Sequence, residues 1–185
     1  MISTVQEVCK YVGSVINYAP FCIETGSTYC IEPSNLIHTT TNNIANYICL
    51  PNNGTLYSLD VEKEHQELAA SVCDKSASVN FILGDSVETL RSLREFYGAN
   101  NLYRSLDVLW MDSKEFDEEH AVNEYNTVKH ALSEKHWVMM DDIHNTSSVK
   151  WKKVVPILKD LGYSYIEVST PTGLFVATKG YKLPF

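Results

Sequence analysis

Apolar and polar positions along this chain fall into blocks of two alternating kinds. One is a short run rich in Val, Ile, Leu and aromatics; the other spaces its apolar residues at helical intervals. Ser3-Thr4 can cap a helix reaching about Ile16, with Val5, Val8, Val12 and Val15 on one stripe. Phe21–Gly26 (FCIETG) predicts a strand closed by glycine. The threonines at 39–41 can cap a short helix to about Cys49, Pro51-Asn52-Asn53-Gly54 is a turn, and Thr55–Asp60 is the next strand. A helix over Val61–Val72, the strand Val79–Asp85 (VNFILGD) and a helix capped by Ser86 and running through Tyr97 follow. Leu106–Asp112 (LDVLWMD) reads as a buried strand, Phe116–Leu132 as a helix and His136–Asp142 (HWVMMDD) as a strand. Ser147-Ser148 opens a helix that Gly162 stops, and Pro156 predicts a kink within it. The last two runs, Tyr163–Thr170 and Leu174–Gly180, are separated only by Pro171-Thr172-Gly173, which requires an antiparallel hairpin. Every earlier pair of strands has helical chain between them. The expectation is therefore an α/β fold, a mostly parallel seven-stranded sheet with helices on both faces and the hairpin at its end.

Composition narrows this. A chain of 185 residues fits one domain over 1–185, with residues 1–20 supplying an N-terminal helix that packs on or caps the core. With 44% hydrophobic and 21% charged residues it is neither disordered nor a coiled coil. No apolar run approaches the roughly 18–20 residues of a membrane span, so no membrane partner is expected. The start (MISTVQEVCK) has no basic region followed by an apolar stretch, which predicts a cytoplasmic protein. The five cysteines include no CxxC pair and fall mostly in apolar stretches, which argues against a zinc site or disulfide framework. In the cytoplasm the Asn-x-Ser/Thr triplets at Asn53 and Asn145 carry no meaning. The 15 Lys+Arg against 23 Asp+Glu give a net charge of −8, which argues against a nucleic-acid partner. The balance is uneven: residues 150–185 hold six Lys against Asp160 and Glu167, a local +4 that leaves −12 for the rest.

The placement of the acids is more informative than their number. Glu24, Asp60, Asp85, Asp112 and the pair Asp141-Asp142 stand at the ends of five successive predicted strands. Ligands of open parallel sheets bind outside the carboxyl ends of the strands. Any one of these acids could simply cap the helix after it, but five in a row are poorly explained that way. A glycine turn after the first strand lets a ligand approach backbone, and an acid ending the second can accept two ribose hydroxyls. Those two features fit a dinucleotide or an adenosyl cofactor. The dinucleotide fingerprint is incomplete, because Gly26-Ser27-Thr28-Tyr29-Cys30 keeps only its first glycine, and no P-loop lysine pattern occurs.

On these residues the whole chain resembles the class I S-adenosylmethionine-dependent methyltransferases, and is most similar to the small metal-dependent O-methyltransferases of catechol and macrocin type. FCIETG stands for the first motif, Leu56–Asp60 for the ribose acid, FILGDS (81–86) for the adenine side and LDVLWMD for the fourth strand. The resemblance implies a three-layer Rossmann-like fold and S-adenosyl-L-methionine as cofactor. It implies cofactor contacts at Glu24, Gly26, Ser27, Asp60, Val61, Gly84, Asp85, Ser86 and Asp112, with Asp60 on the ribose and Asp85 on the adenine amine. Two departures stand out: Thr28 and Cys30 replace the later glycines, and the stretch from Ser27 to His38 is long, either a lid or a surface insertion.

Asp112, Asp141 and Asp142 offer three hard oxygen ligands that suit Mg²⁺ or Ca²⁺. The resemblance implies that such an ion would bind the acceptor hydroxyl and lower its pKa. Lys114 and His144, each two residues beyond one of these acids, are the candidate general bases. His65, His120, His130 and His136 read as structural, as do Trp110 and Trp137, and Glu115 with Asp117–Glu119 as a solvated helix start. The expected activity is methyl transfer to a small hydroxylated molecule, with a divalent cation and a possible homodimer completing the site. The alternatives are metal-independent N- or O-transfer, and a degenerate member of the fold that serves as a binding or scaffold protein.

Overall fold

In the computed structural model of the chain, residues 2–27, 39–99 and 105–183 are described. Seven strands form one sheet in the order β3-β2-β1-β4-β5-β7-β6. They are β1 (Phe21–Thr25), β2 (Thr55–Asp60), β3 (Ser78–Leu83), β4 (Leu106–Met111), β5 (Leu132–Asp141), β6 (Ser164–Val168) and β7 (Leu174–Lys179). Only β7 runs against its neighbours, pairing with β5 through His136↔Lys179 to Asp141↔Leu174 and with β6 through the hairpin. The α/β expectation and its terminal hairpin are met.

The helices are α1 (Val5–Val15), α2 (Thr40–Ile44), α3 (Lys63–Val72), α4 (Ser86–Ala99), α5 (Glu118–Val128) and α6 (Trp151–Asp160). Thr4 caps α1 in a full capping box: its hydroxyl accepts from the Glu7 amide while the Glu7 carboxylate accepts from the Thr4 amide. The central strands are buried on both faces, so consecutive side chains feed different cores. Leu109 and Met111 of β4, with Val138 and Met140 of β5, pack under α4, α5 and α6 against Leu90, Tyr125, Val154 and Leu158. Val108, Trp110, Trp137 and Met139 pack on the other face against Val8 and Val12 of α1 and against Ile44 and Ile48. Both tryptophans are thus core, as the strand pattern implies. No helix among the described residues is long and apolar enough to cross a membrane.

Local boundaries differ from expectation for identifiable reasons. Helix α5 stops at Val128 and Leu132 already belongs to β5, where it pairs with Leu106 before the register shifts to Val108↔Trp137. Helix α2 continues into a π-helical turn (Ala45–Cys49), whose backbone lies close against Gly13 of α1. Helix α6 opens at Trp151 instead of Ser147-Ser148, because Asn145 captures the amide and hydroxyl of Ser147 in a turn of its own. Strand β3 ends at Leu83, which leaves Asp85 free to cap α4 in place of Ser86: its Oδ1 accepts from the amides of Val87 (3.0 Å) and Glu88 (3.3 Å).

Candidate functional site

Crossovers diverge between β1 and β4, the point where open α/β sheets leave a crevice at their carboxyl edge. A cleft of about 550 Å³ opens there, within the roughly 300–1,000 Å³ range of small-molecule pockets. Gly26 makes the crevice possible. It follows β1 with φ +82°, donates to the carbonyl of Leu59 (2.8 Å), and lies so near β4 that a Cβ would stand 2.5 Å from the carbonyl oxygen of Asp112. Only glycine fits that turn. Gly26, Ser27, Asp60, Val61, Gly84, Asp85, Ser86 and Asp112 all line the cleft, together with Lys114, Asp141 and Asp142.

On the β1–β3 side the carboxylates are held by neutral groups, by backbone or by single cations. Asp60, closing β2, accepts from the Glu62 amide through Oδ1 (2.8 Å), and its Oδ2 lies 3.4 Å from Nδ1 of His65. Asp85 uses Oδ1 on the start of α4 and Oδ2 on the ammonium of Lys114 at 3.1 Å. Burial pushes the Asp85 carboxyl up, but the Lys114 contact and the Glu88 amide outweigh it and hold the group below the ordinary carboxylate range. Glu24 stands apart from the other candidates because it is fully buried beneath the cleft. Its Oε2 accepts from Thr41 Oγ1 (2.7 Å) and Ser58 Oγ (2.8 Å), and Ser58 passes the connection to Ser27 Oγ (2.9 Å) on the cleft wall. Its Oε1 is buried with no partner among the described residues. Burial lifts this carboxyl to about 7 against the pull of its two hydroxyl donors, with Asp60 adding a smaller push upward.

The β4–β5 side is built differently. Lys150, one residue before α6, is 1% exposed, and its ammonium lies 2.5 Å from Asp112 Oδ1 and 3.1 Å from Asp142 Oδ2. Asp141 turns elsewhere: its Oδ1 accepts from the Asp142 amide (2.8 Å) and from Thr172 Oγ1 (3.1 Å). Burial raises the Asp112 carboxyl well above the usual range, Lys150 offsets this in part, and Asp141 and Asp142 add to it. Burial likewise raises Asp141. The expected Mg²⁺ or Ca²⁺ site at Asp112, Asp141 and Asp142 does not fit this arrangement. A lysine fills the space between two of the three carboxylates, the third is turned to backbone and Thr172, and no three metal-ligating side chains converge among the described residues.

The two base candidates separate. Lys114 reaches the cleft, where it pairs with Asp85. His144 does not line it: the ring packs on Gly173 and lies 4.0 Å from Glu167, while its amide donates to Thr172 O. Sequence reasoning missed two features, one on the wall of the cleft and one buried behind its acids. His120 was expected to be structural, yet it lines the cleft, where its Nε2 meets Ser86 Oγ at 2.8 Å; Ser86 and Ser113 both donate to the buried carboxylate of Glu124. The i, i+4 spacing of His120 and Glu124 was a visible signal. The other is Lys150, whose spacing from Val154 and Leu158 sets a lysine on the buried stripe of α6. Residues 28–38, including Thr28, Cys30 and the supposed lid, lie outside the described residues.

No protein-family model matches the chain, and no curated protein matches it. Solved structures do. A methyltransferase from Geobacter sulfurreducens superposes with a TM-score of 0.65 at 11% identity, covering 94% of this chain and 77% of that one. The Methanococcus jannaschii fibrillarin pre-rRNA processing protein gives 0.60 at 18% identity, covering 91% and 70%. MycE methyltransferase from the mycinamycin biosynthetic pathway, solved with Mg and SAH, gives 0.60 at 12% identity, covering 94% of this chain and 49% of its own. At such identities the likeness is one of architecture: the chain shares its Rossmann-like α/β fold with these structures.

Proposed function

We propose that the chain is an S-adenosylmethionine-dependent methyltransferase that transfers to a small molecule without a divalent metal. The observation that carries this is the β1–β3 half of the cleft, where the Gly26 turn, Asp60 ending β2 and Asp85 opening α4 line one wall in strand order. Asp60 would accept the two ribose hydroxyls and Asp85 the adenine amine, since carboxylates accept from both. Val61, 54% exposed beside Asp60, offers an apolar surface to the base. The acceptor would lie toward Asp112, with its lone pair in line with the methyl–sulfur bond. When bound, S-adenosylmethionine would supply an electrophilic methyl group, the acceptor would release its proton to water or a base, and S-adenosylhomocysteine would be left as the product.

Charge supports a small acceptor over RNA, the substrate class that the fibrillarin match brings to mind. The cleft carries Asp60, Glu62, Asp85, Asp112, Glu115, Asp141 and Asp142, and the ammonium that lines it, that of Lys114, faces Asp85. A phosphate backbone would meet repulsion there. An uncharged or amine-bearing molecule would not.

Titration calorimetry with S-adenosylmethionine and S-adenosylhomocysteine tests the reading. Micromolar binding of both, lost in Asp60→Ala with the melting temperature retained, is the expected result. Absence of heat with either ligand on the folded protein overturns it.

A further inference from the structure

Three carboxylates at the ends of neighbouring strands would ordinarily be held together by a divalent ion. Here the nitrogen of Lys150 stands between two of them, at 2.5 Å from Asp112 and 3.1 Å from Asp142. We propose that Lys150 is a built-in cation that takes the place of a divalent metal among Asp112, Asp141 and Asp142, so that this edge binds no such ion while the lysine is present. The inference is independent of the cofactor, because it concerns only what occupies the acid cluster.

Three observations support it. The ammonium is positioned by backbone: Glu115 O accepts from the amides of Val149 (2.8 Å) and Lys150 (3.3 Å), which ties the start of α6 to the loop after β4. The side chain is 1% exposed, so it cannot swing to solvent without opening the packing around it. It also faces two carboxylates at once, at hydrogen-bond distance from each, and such a pair of partners favours the charged ammonium. An entering metal would therefore meet a fixed positive charge at the distance of its own ligands. Ca²⁺ and Mg²⁺ need oxygens at about 2.0–2.6 Å, and a lysine nitrogen that stays protonated offers no lone pair to either.

The acid cluster is then a latent metal site that a single substitution uncovers. Mn²⁺ binding is followed by the loss of its free-ion electron paramagnetic resonance signal, with thermal melting in Mg²⁺ or Ca²⁺ alongside. The wild-type chain is expected to show no stoichiometric Mn²⁺ binding and no shift in melting temperature. Lys150→Ala and the longer, neutral Lys150→Gln are both expected to bind one Mn²⁺ at least about tenfold more tightly than wild type. Their melting temperatures should rise with added ion, and Asp112→Asn added to either should abolish both effects. If Lys150→Ala does not fold without metal, Lys150→Gln and the wild-type titration still decide the matter. Stoichiometric Mn²⁺ binding by wild type that Asp112→Asn removes overturns the inference. So does a folded Lys150 variant that binds no better than wild type. Neither result bears on whether S-adenosylmethionine binds, which calorimetry reads separately.

Discussion

The two halves of the carboxyl edge solve one problem in opposite ways. Both place acids where the strands end, and both must keep those acids ionised or neutral at a tolerable cost. On the β1–β3 side Asp60 and Asp85 divide their oxygens between backbone amides and the partly exposed His65 and Lys114, and remain on an open cleft. On the β4–β5 side Asp112 and Asp142 converge on the buried Lys150. The first arrangement leaves carboxylates able to exchange partners with an incoming ligand. The second locks them. Position along a strand therefore does not decide what an acid can do; the partner underneath it does.

The largest effect should come from breaking the locked half. Lys150→Ala leaves Asp112 and Asp142 facing each other in a buried space, and loss of one member of a buried ion pair costs about 3–5 kcal/mol. Urea unfolding of the metal-free variant against wild type measures it. A loss below about 1 kcal/mol, the value of an exposed pair, would erase the distinction between the two halves.

Glu24 tests the open half from below. Its carboxyl titrates at an ordinary 4.5 in the unfolded chain and at about 7 in the folded one. Between those values the folded protein holds a proton that the unfolded chain has lost. The group's favourable contribution is therefore complete below about pH 4.5 and is lost as pH rises through 7. Glu24→Gln keeps one oxygen for Thr41 and Ser58 and removes the ionisation. At pH 8 the variant should be more stable than wild type by about 2–3 kcal/mol, with the difference vanishing near pH 4. Melting curves across this range that run parallel for both proteins would show that Glu24 is not the buried acid its surroundings make it.

Gly26→Ala sharpens the comparison at the seam between the halves. The substitution combines φ +82° with a Cβ 2.5 Å from the backbone of Asp112, a strain of about 1–3 kcal/mol. Because β1 and β4 both shift when it is relieved, S-adenosylhomocysteine affinity should fall along with stability. Full affinity in a destabilised variant would separate the turn from the site.

How much of this the sequence revealed follows the same division. Strand order of acids, the Gly26 turn and the terminal hairpin were legible because each is a local pattern: alternation, a glycine at a strand end, a connection too short for a crossover. The strand acids also caught the cap function of Asp85 only by class, since Ser86 and Asp85 are equally good caps and the choice depends on where β3 stops. Lys150 was not legible as a partner of Asp112, because 38 residues separate them and only packing brings them together. Its place on the stripe of Val154 and Leu158 marked it as a buried lysine, which demands an acid, but the pattern did not say which. The metal expectation arose from the same blind spot: spacing reveals ligands and hides what already fills the space between them.

The smallest effect separates two roles for Lys114. Its ammonium and the Asp85 carboxylate are 47% and 37% exposed, so their contact at 3.1 Å contributes under about 1 kcal/mol to stability. Lys114→Ala should leave the melting temperature nearly unchanged. Its consequence for the cofactor depends on what Lys114 does. If Asp85 receives the adenine amine, Lys114 competes for the same Oδ2, and removing it should tighten S-adenosylmethionine binding by about two- to threefold, a few tenths of a kcal/mol of competition removed. If Lys114 is instead the base that takes the acceptor's proton, affinity stays constant and turnover falls once an acceptor is in hand. The calorimetric measurement can be made without any acceptor. Tighter binding would set Lys114 among the exchangeable partners of the open half, in contrast to Lys150, the fixed cation of the other.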